Sequence, residues 1–271
     1  MNQSKKKVIA IICGASVVVL IAVFLICILV LGDRDEKTPQ VSQTPAPVET
    51  PEPTPTPEPT PDPHAGKVKS VLTGKYISEK VAKQRPFAVI INNIEYANQH
   101  QQGTSQIDVL YEALAEGGIT RMLGVYQGTD KIKRLGSVRS ARHYFVSFAS
   151  EWDAIFCHFG QTSYAISKIE ELGVNNLSGL SAIGGVVYKR DYSLKPPHNV
   201  FTSGEKMLKG AKQLKYRTKY KEEKMAKHFE FYEEDTELDS SNGTNYINLP
   251  FSSYSTCYLK YDKKTKEYKK F

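Results

Sequence analysis

Polarity along the chain separates three stretches before any single residue is considered. From Val8 to Leu31 an apolar run of 24 residues carries no charge, with Lys5, Lys6 and Lys7 before it and Asp33, Arg34, Asp35 and Glu36 after it. About 20 helical residues cross a hydrocarbon core of roughly 30 Å, so the pattern predicts a transmembrane signal anchor over 8–31. The lysines keep a short tail, residues 1–7, cytoplasmic, and the rest of a single-pass chain in the cell membrane is then extracytoplasmic. A cleaved signal peptide competes, but its apolar core is usually about 7–15 residues long and ends at a small-x-small site. Here the run closes on Leu29-Val30-Leu31-Gly32. Residues 32–65 alternate proline with threonine and glutamate, and ten of the 14 prolines fall between Pro39 and Pro63. Such a stretch buries too little apolar surface to fold and extends as polyproline II at about 3.1 Å per residue, which makes it a stalk.

Beyond the stalk the pattern predicts an α/β domain over 66–227, a mixed sheet with flanking helices. Pro86–Ile91 has the continuous apolar character of a buried strand, with Asn92-Asn93 as its turn. Ile107–Tyr126 is expected to form a hairpin through Gly117-Gly118, since a type I′ turn needs positive φ twice. A helix over 107–116, with Ile107, Leu110, Tyr111 and Leu114 on one face, is the alternative. Arg139–Phe148 is expected to be helical, with Ala141, Phe145, Phe148 and Ala149 inward. Asp153–Phe159 follows as a strand, then a helix from Gln161-Thr162-Ser163 to Leu172 that stops at Gly173. Gly184–Tyr192 is expected as a strand, Lys195–Asn199 as a loop stiffened by two prolines, and Thr202–Glu205 as a capping box. Alternation at Phe229–Tyr232 and Thr256–Tyr261 predicts the start of a β-rich second domain over 228–271. About 40 residues bury little core, so this domain is expected to be truncated at Phe271.

Composition adds a sign. From Ala65 onward 31 Lys and Arg stand against 22 Asp and Glu. Outside a membrane such a balance suits an anionic cell-wall polymer, a phosphate-rich glycan, a lipid headgroup or an acidic envelope protein. No helix-turn-helix or zinc-finger spacing accompanies it, so no nucleic-acid partner is expected. A basic track from Lys206 to Lys227 is by default a solvated face, with contact to an anionic polymer as the functional alternative. Beyond the apolar run only Cys157 and Cys257 remain, in different predicted domains and expected as independent thiols.

Chemistry is densest at Gly136-Ser137-Val138-Arg139-Ser140-Ala141-Arg142-His143. Permanently charged planar forks at this density suit phosphate or carboxylate. On the predicted helix Arg139, Arg142 and His143 share one face near its positive N-terminal end. An N-capped helix whose arginines pair with carboxylates accounts for the same residues without a ligand. Arg121, Arg190 and Asn199 are further anion-binding candidates. In the predicted hairpin Glu112 and Glu116 both approach Arg121; two such carboxylates can hold a cation or act as acid and base, or serve only to neutralise arginines. His158, at the end of a strand where α/β domains place ligands, and His198 complete the proton-transfer candidates, although a lone histidine is more often structural. Cys157 and His158, neighbours on a strand, point to opposite faces. No CxxC or zinc spacing, GxSxG, HExxH, P-loop or GxGxxG occurs, and the sequence leaves any cofactor unknown. Two function classes result: a non-enzymatic envelope module that binds an anionic wall ligand or a wall-synthesis partner, and a metal-assisted enzyme acting on phosphorylated glycan or lipid-linked diphosphate.

These motifs carry a family resemblance. RPFAVIINN (85–93), SQIDVLYEALAEGGITRMLGVYQ (105–127), GSVRSARHYF (136–145), DAIFCHFGQTSYA (153–165) and PPHNVFTSG (196–204) stand in the order in which they occur in the YerB family of bacterial extracytoplasmic lipoproteins, which the chain resembles from about Arg85 to Phe271. The resemblance implies a two-part domain of unknown function outside the membrane, and no reaction. Cys27 follows Ile26, without the small residue that a lipid-attachment site requires, so the expected anchor is the helix itself.

Overall fold

Three strands of the main sheet are buried along their whole length, and the rest of the domain is layered on them. The computed structural model describes residues 64–225, 227–234, 236–237 and 243–271. The predicted tail, anchor helix and nearly all of the stalk lie outside the described residues, as does most of the Asp239–Gly243 turn cluster. Among the described residues no helix is long and apolar enough to cross a membrane.

In chain order the elements are β1 (Lys67–Lys69), β2 (Tyr76–Ser78), α1 (Glu79–Ala82), β3 (Phe87–Asn92), α2 (Glu95–Asn98), β4 (Val109–Leu114), β5 (Thr120–Tyr126) and β6 (Leu135–Gly136). They continue with α3 (His143–Glu151), β7 (Ile155–His158), α4 (Ser163–Leu172), β8 (Asn176–Ser178), α5 (Gly184–Val187), β9 (Lys189–Arg190), β10 (Val200–Thr202) and α6 (Gly204–Gln213). An antiparallel meander, β11 (Tyr246–Pro250), β12 (Thr256–Asp262) and β13 (Glu267–Lys270), ends the chain.

The main sheet has the order β4-β5-β3-β7-β8, with β3, β7 and β8 parallel, β5 antiparallel to β3 and β4 antiparallel to β5. Side chains alternate across a strand, so β3 feeds two cores. Phe87, Val89 and Ile91 join Met122, Ile155 and Leu177 beneath Val187 and Met207 of α5 and α6. Ala88 and Ile90 join Leu123, Val125 and Phe156 beneath Phe145, Val146 and Ala165 of α3 and α4. The continuous apolar run of β3 is what burial on both faces requires.

The strands at 87–92 and 155–158, the capped helix ending at Gly173 and the hairpin match the expectations from sequence. Four details differ. The helix after Gly136 begins only at His143, because Val138 and Ala141 are spent on bridges to Ile91 and Gln161 in extended backbone. Gly184–Tyr192 is not one strand: Gly184 lies so close to the Gly179 backbone that an added Cβ would meet its carbonyl oxygen at 2.3 Å, and the chain turns there into α5 before the short β9. The cap of α6 is Ser203, whose hydroxyl accepts from the Lys206 N–H, while Thr202 belongs to β10 and donates to the Val187 carbonyl. Phe229 and Phe231 are not in a strand; Phe229 packs beside Trp152, and Phe231 lies over Gly74.

Candidate anion-binding site

The site lies where the main sheet splits. β3 and β7 are paired only from Phe87–Ile155 to Val89–Cys157. Beyond that the extended segment 137–141 enters between them. The Arg139 N–H donates to the Ile90 carbonyl (3.0 Å), and the Phe159 N–H donates to the Arg139 carbonyl (3.0 Å). The backbone of Arg139 thus bridges the parting strands. This is the carboxyl end of β3 and β7, at the point where the chain leaves β3 for the hairpin on one side and for β7–β8 on the other. Open α/β sheets bind ligands at such places.

Around this wedge gather four guanidiniums. Arg121, at the start of β5 and opposite Asn92 in register, is buried and donates to the Ser140 carbonyl (3.1 Å). Arg142 grips both oxygens of Glu116, with Nη2 at 2.6 Å from Oε2, and Arg121 reaches the same oxygen at 3.4 Å. Arg139 donates to the Pro197 carbonyl (3.2 Å), and Arg190 donates to Oδ1 of Asn199 (2.7 Å) and lies over the Phe159 ring. Burial and then the charge of Arg142 push the Arg121 pKa down to about 10; the Arg139 value is lowered by burial, Arg142 and Arg190. Among the described residues Glu116 is the one carboxylate paired with any of the four, and their positive charge holds its pKa at about 2, chiefly through the hydrogen bond from Arg142.

His198 and Asn199 close the other side. His198 Nδ1 lies 2.6 Å from Asn92 Nδ2 and accepts from it, which leaves the ring proton on Nε2. Burial and the charge of Arg139 lower the His198 pKa and favour the neutral ring, and with Nδ1 engaged by Asn92 its Nε2–H is left as a donor. Several buried donors here have no partner within the protein: Arg121 Nε, Arg139 Nε, Ser137 Oγ and Asn199 Nδ2. Unpaired buried donors are costly, and a cluster of them beside excess positive charge matches the acceptor oxygens of an anion.

The remaining candidates fall elsewhere. The hairpin is offset by one residue from the register expected with Gly117-Gly118 alone as its turn: Leu114 faces Thr120, and Glu112 faces Met122. One residue of offset reverses the face of a side chain. Glu112 therefore leaves Arg121 and binds Asn93 (2.8 Å), Thr120 (2.7 Å) and Lys270 (3.0 Å) against the meander. The expected meeting of both glutamates with Arg121 does not occur. His158 is fully buried, with Nδ1 on the Gly160 carbonyl (2.9 Å) and Nε2 on Asn176 Oδ1 (3.2 Å), and burial lowers its pKa. His143 is exposed at the start of α3, edge-on to Tyr144 and Tyr164, and does not share a helical face with Arg139. Asn92 belongs to the site without having been singled out, while Ser137 and Ser140 were marked only as members of the dense stretch 136–143. The only signal for Asn92 is its place at the carboxyl end of a buried strand.

A family model described as "Protein of unknown function (DUF3048) N-terminal domain" matches residues 72–217. The "Putative lipoprotein YerB" of Bacillus subtilis (strain 168) is 41% identical over 155 residues, 57% of this chain and 46% of that protein. The chain thus matches less than half the length of that curated relative. The crystal structure of the YerB protein from Bacillus subtilis superposes with a TM-score of 0.62 at 33% identity, covering 76% of this chain and 67% of the other.

Proposed function

The chain belongs to the YerB family, and on that basis we propose that it is a membrane-anchored, extracytoplasmic module that binds an anionic cell-wall ligand, or the acidic face of a wall-synthesis partner, through the arginine cluster. The observation that carries this is the imbalance at the sheet split: four guanidiniums face one carboxylate, and buried donors beside them are unsatisfied within the protein. The address is supported by the apolar run 8–31, the proline-rich stretch after it and the relative named as a putative lipoprotein. Binding is preferred to acid–base turnover because Glu112 and Glu116 serve different partners, and both ring nitrogens of His158 are engaged inside the fold. Full-length chain in detergent is expected to be retained on immobilised teichoic-acid-type polymer in a salt-sensitive manner, and Arg139→Ala with Arg142→Ala is expected to abolish retention. Unchanged retention by a folded double variant would overturn the proposal.

A further inference from the structure

Arg190, whose guanidinium is held by Asn199 and Phe159, also borders a cavity of about 470 Å³ lined by Lys133, Arg134, Lys189, Asp191 and Lys206. Arg134 is already committed, paired with Asp191 at 2.6 Å and stacked on Phe201 with its guanidinium carbon 3.8 Å from the ring centre. Lys133, Lys189 and Lys206 have no ion pair among the described residues. Four cations, Lys133, Arg134, Lys189 and Lys206, therefore surround one carboxylate that a single arginine already neutralises. Ser203, which caps α6, also lines the cavity, so the first free N–H groups of that helix add to the same sign. Tyr192 stands at the wall with 85% of its surface exposed and offers a ring face to whatever the anion is attached to.

We propose that this cavity is a second anion subsite, for a phosphate group, and that the two subsites, each bordered by Arg190, grip one linear phosphate-bearing polyanion. The second part rests on the proposed function of the arginine cluster; the cavity subsite does not. A concave, ring-walled cavity suits a phosphate on a threaded chain better than a plane of headgroups. Two separated anchor points on one chain raise the effective concentration of the second contact.

Calorimetry on the full-length chain in detergent, with inorganic pyrophosphate as the short probe and long-chain inorganic polyphosphate as the long one, tests this. Wild type is expected to bind two pyrophosphates. Lys189→Ala with Lys206→Ala removes one of them and weakens polyphosphate at least about tenfold, the loss expected for one charge-assisted contact. Arg139→Ala with Arg142→Ala removes the other. Should the lysine pair misfold, the exposed Lys133→Glu replaces it with the same expectation. Two pyrophosphate sites surviving in the folded lysine variant overturn the inference and leave the proposed function intact. Two sites surviving only in the arginine variant overturn the proposed function and leave the cavity subsite standing. A wild type that binds neither probe overturns both.

Discussion

Arg142 and Glu116 meet through two nitrogens and two oxygens, and the carboxylate so held sits on the tip of a hairpin whose Gly117 and Gly118 both have positive φ. A carboxylate in this position occupies two of the four arginines much as a ligand would. Glu116→Gln is therefore expected to strengthen binding of an anionic polymer by roughly tenfold, since it removes a charge-assisted competitor. Retention measured at increasing salt checks this, and weaker binding would contradict it.

The same residue shapes the acid limb of stability. Its folded pKa of about 2 lies below the ordinary 4.5, so its contribution is complete above 4.5 and is lost as the pH falls towards 2. With 60% of the side chain exposed, screening limits that contribution to about 1 kcal/mol or less. Thermal melts of wild type and Glu116→Gln should converge at the acid end of this window.

His158 acts at higher pH. Burial lowers its folded pKa below the ordinary 6.5, so the unfolded chain takes up the proton first and stability declines as the pH falls below 6.5. His158→Gln keeps a side chain that can reach Gly160 or Asn176 and removes this component. Urea midpoints of the variant should fall less between pH 7 and 5.5 than those of wild type, the remaining slope coming from His198, whose pKa is lowered in the same direction.

Glu112 is 7% exposed and depends on Lys270 of β13 for its charge partner. Lys270→Met is expected to cost about 2 kcal/mol by leaving a buried carboxylate unpaired. Adding Glu112→Gln should restore most of it, because Asn93 and Thr120 still have a polar partner. A double-mutant cycle in urea gives the coupling.

At the opposite end of the sheet Arg85, 6% exposed, and Arg217 share Asp153. Asp153 has φ +49°, a conformation that asparagine tolerates. Asp153→Asn therefore isolates the charge from the backbone, and its expected cost is about 3 kcal/mol in urea unfolding, with anionic-polymer binding by the folded fraction unchanged.

What could be read from sequence follows from range. Phe87–Ile91 and the unit from Ile155 to Gly173 were legible because apolar runs, caps and stops are local signals. The density of Arg139, Arg142 and Ser137 marked the site for the same reason. The partners were not legible. Glu112 and Glu116 are separated by a one-residue offset in the hairpin that composition does not encode, and the spacing of Val138 and Ala141 suits a helix as well as the extended wedge. Gly184 turns the chain because of the Gly179 backbone beside it, a contact that no window of sequence contains. Arg190, His198 and Asn199 were singled out one by one, yet only the packed sheet brings them beside Asn92 and Arg139.

The wedge at Arg139 has a thermodynamic consequence. Its backbone closes the gap between β3 and β7, while its side chain faces the anion site, so an anion that binds only the closed arrangement stabilises the sheet by mass action. Ligand occupancy and the resistance of the carboxyl ends of these strands to local opening are then one equilibrium. Amide exchange at Phe159 and Arg139 should slow in proportion to bound anion, far more than exchange in the meander.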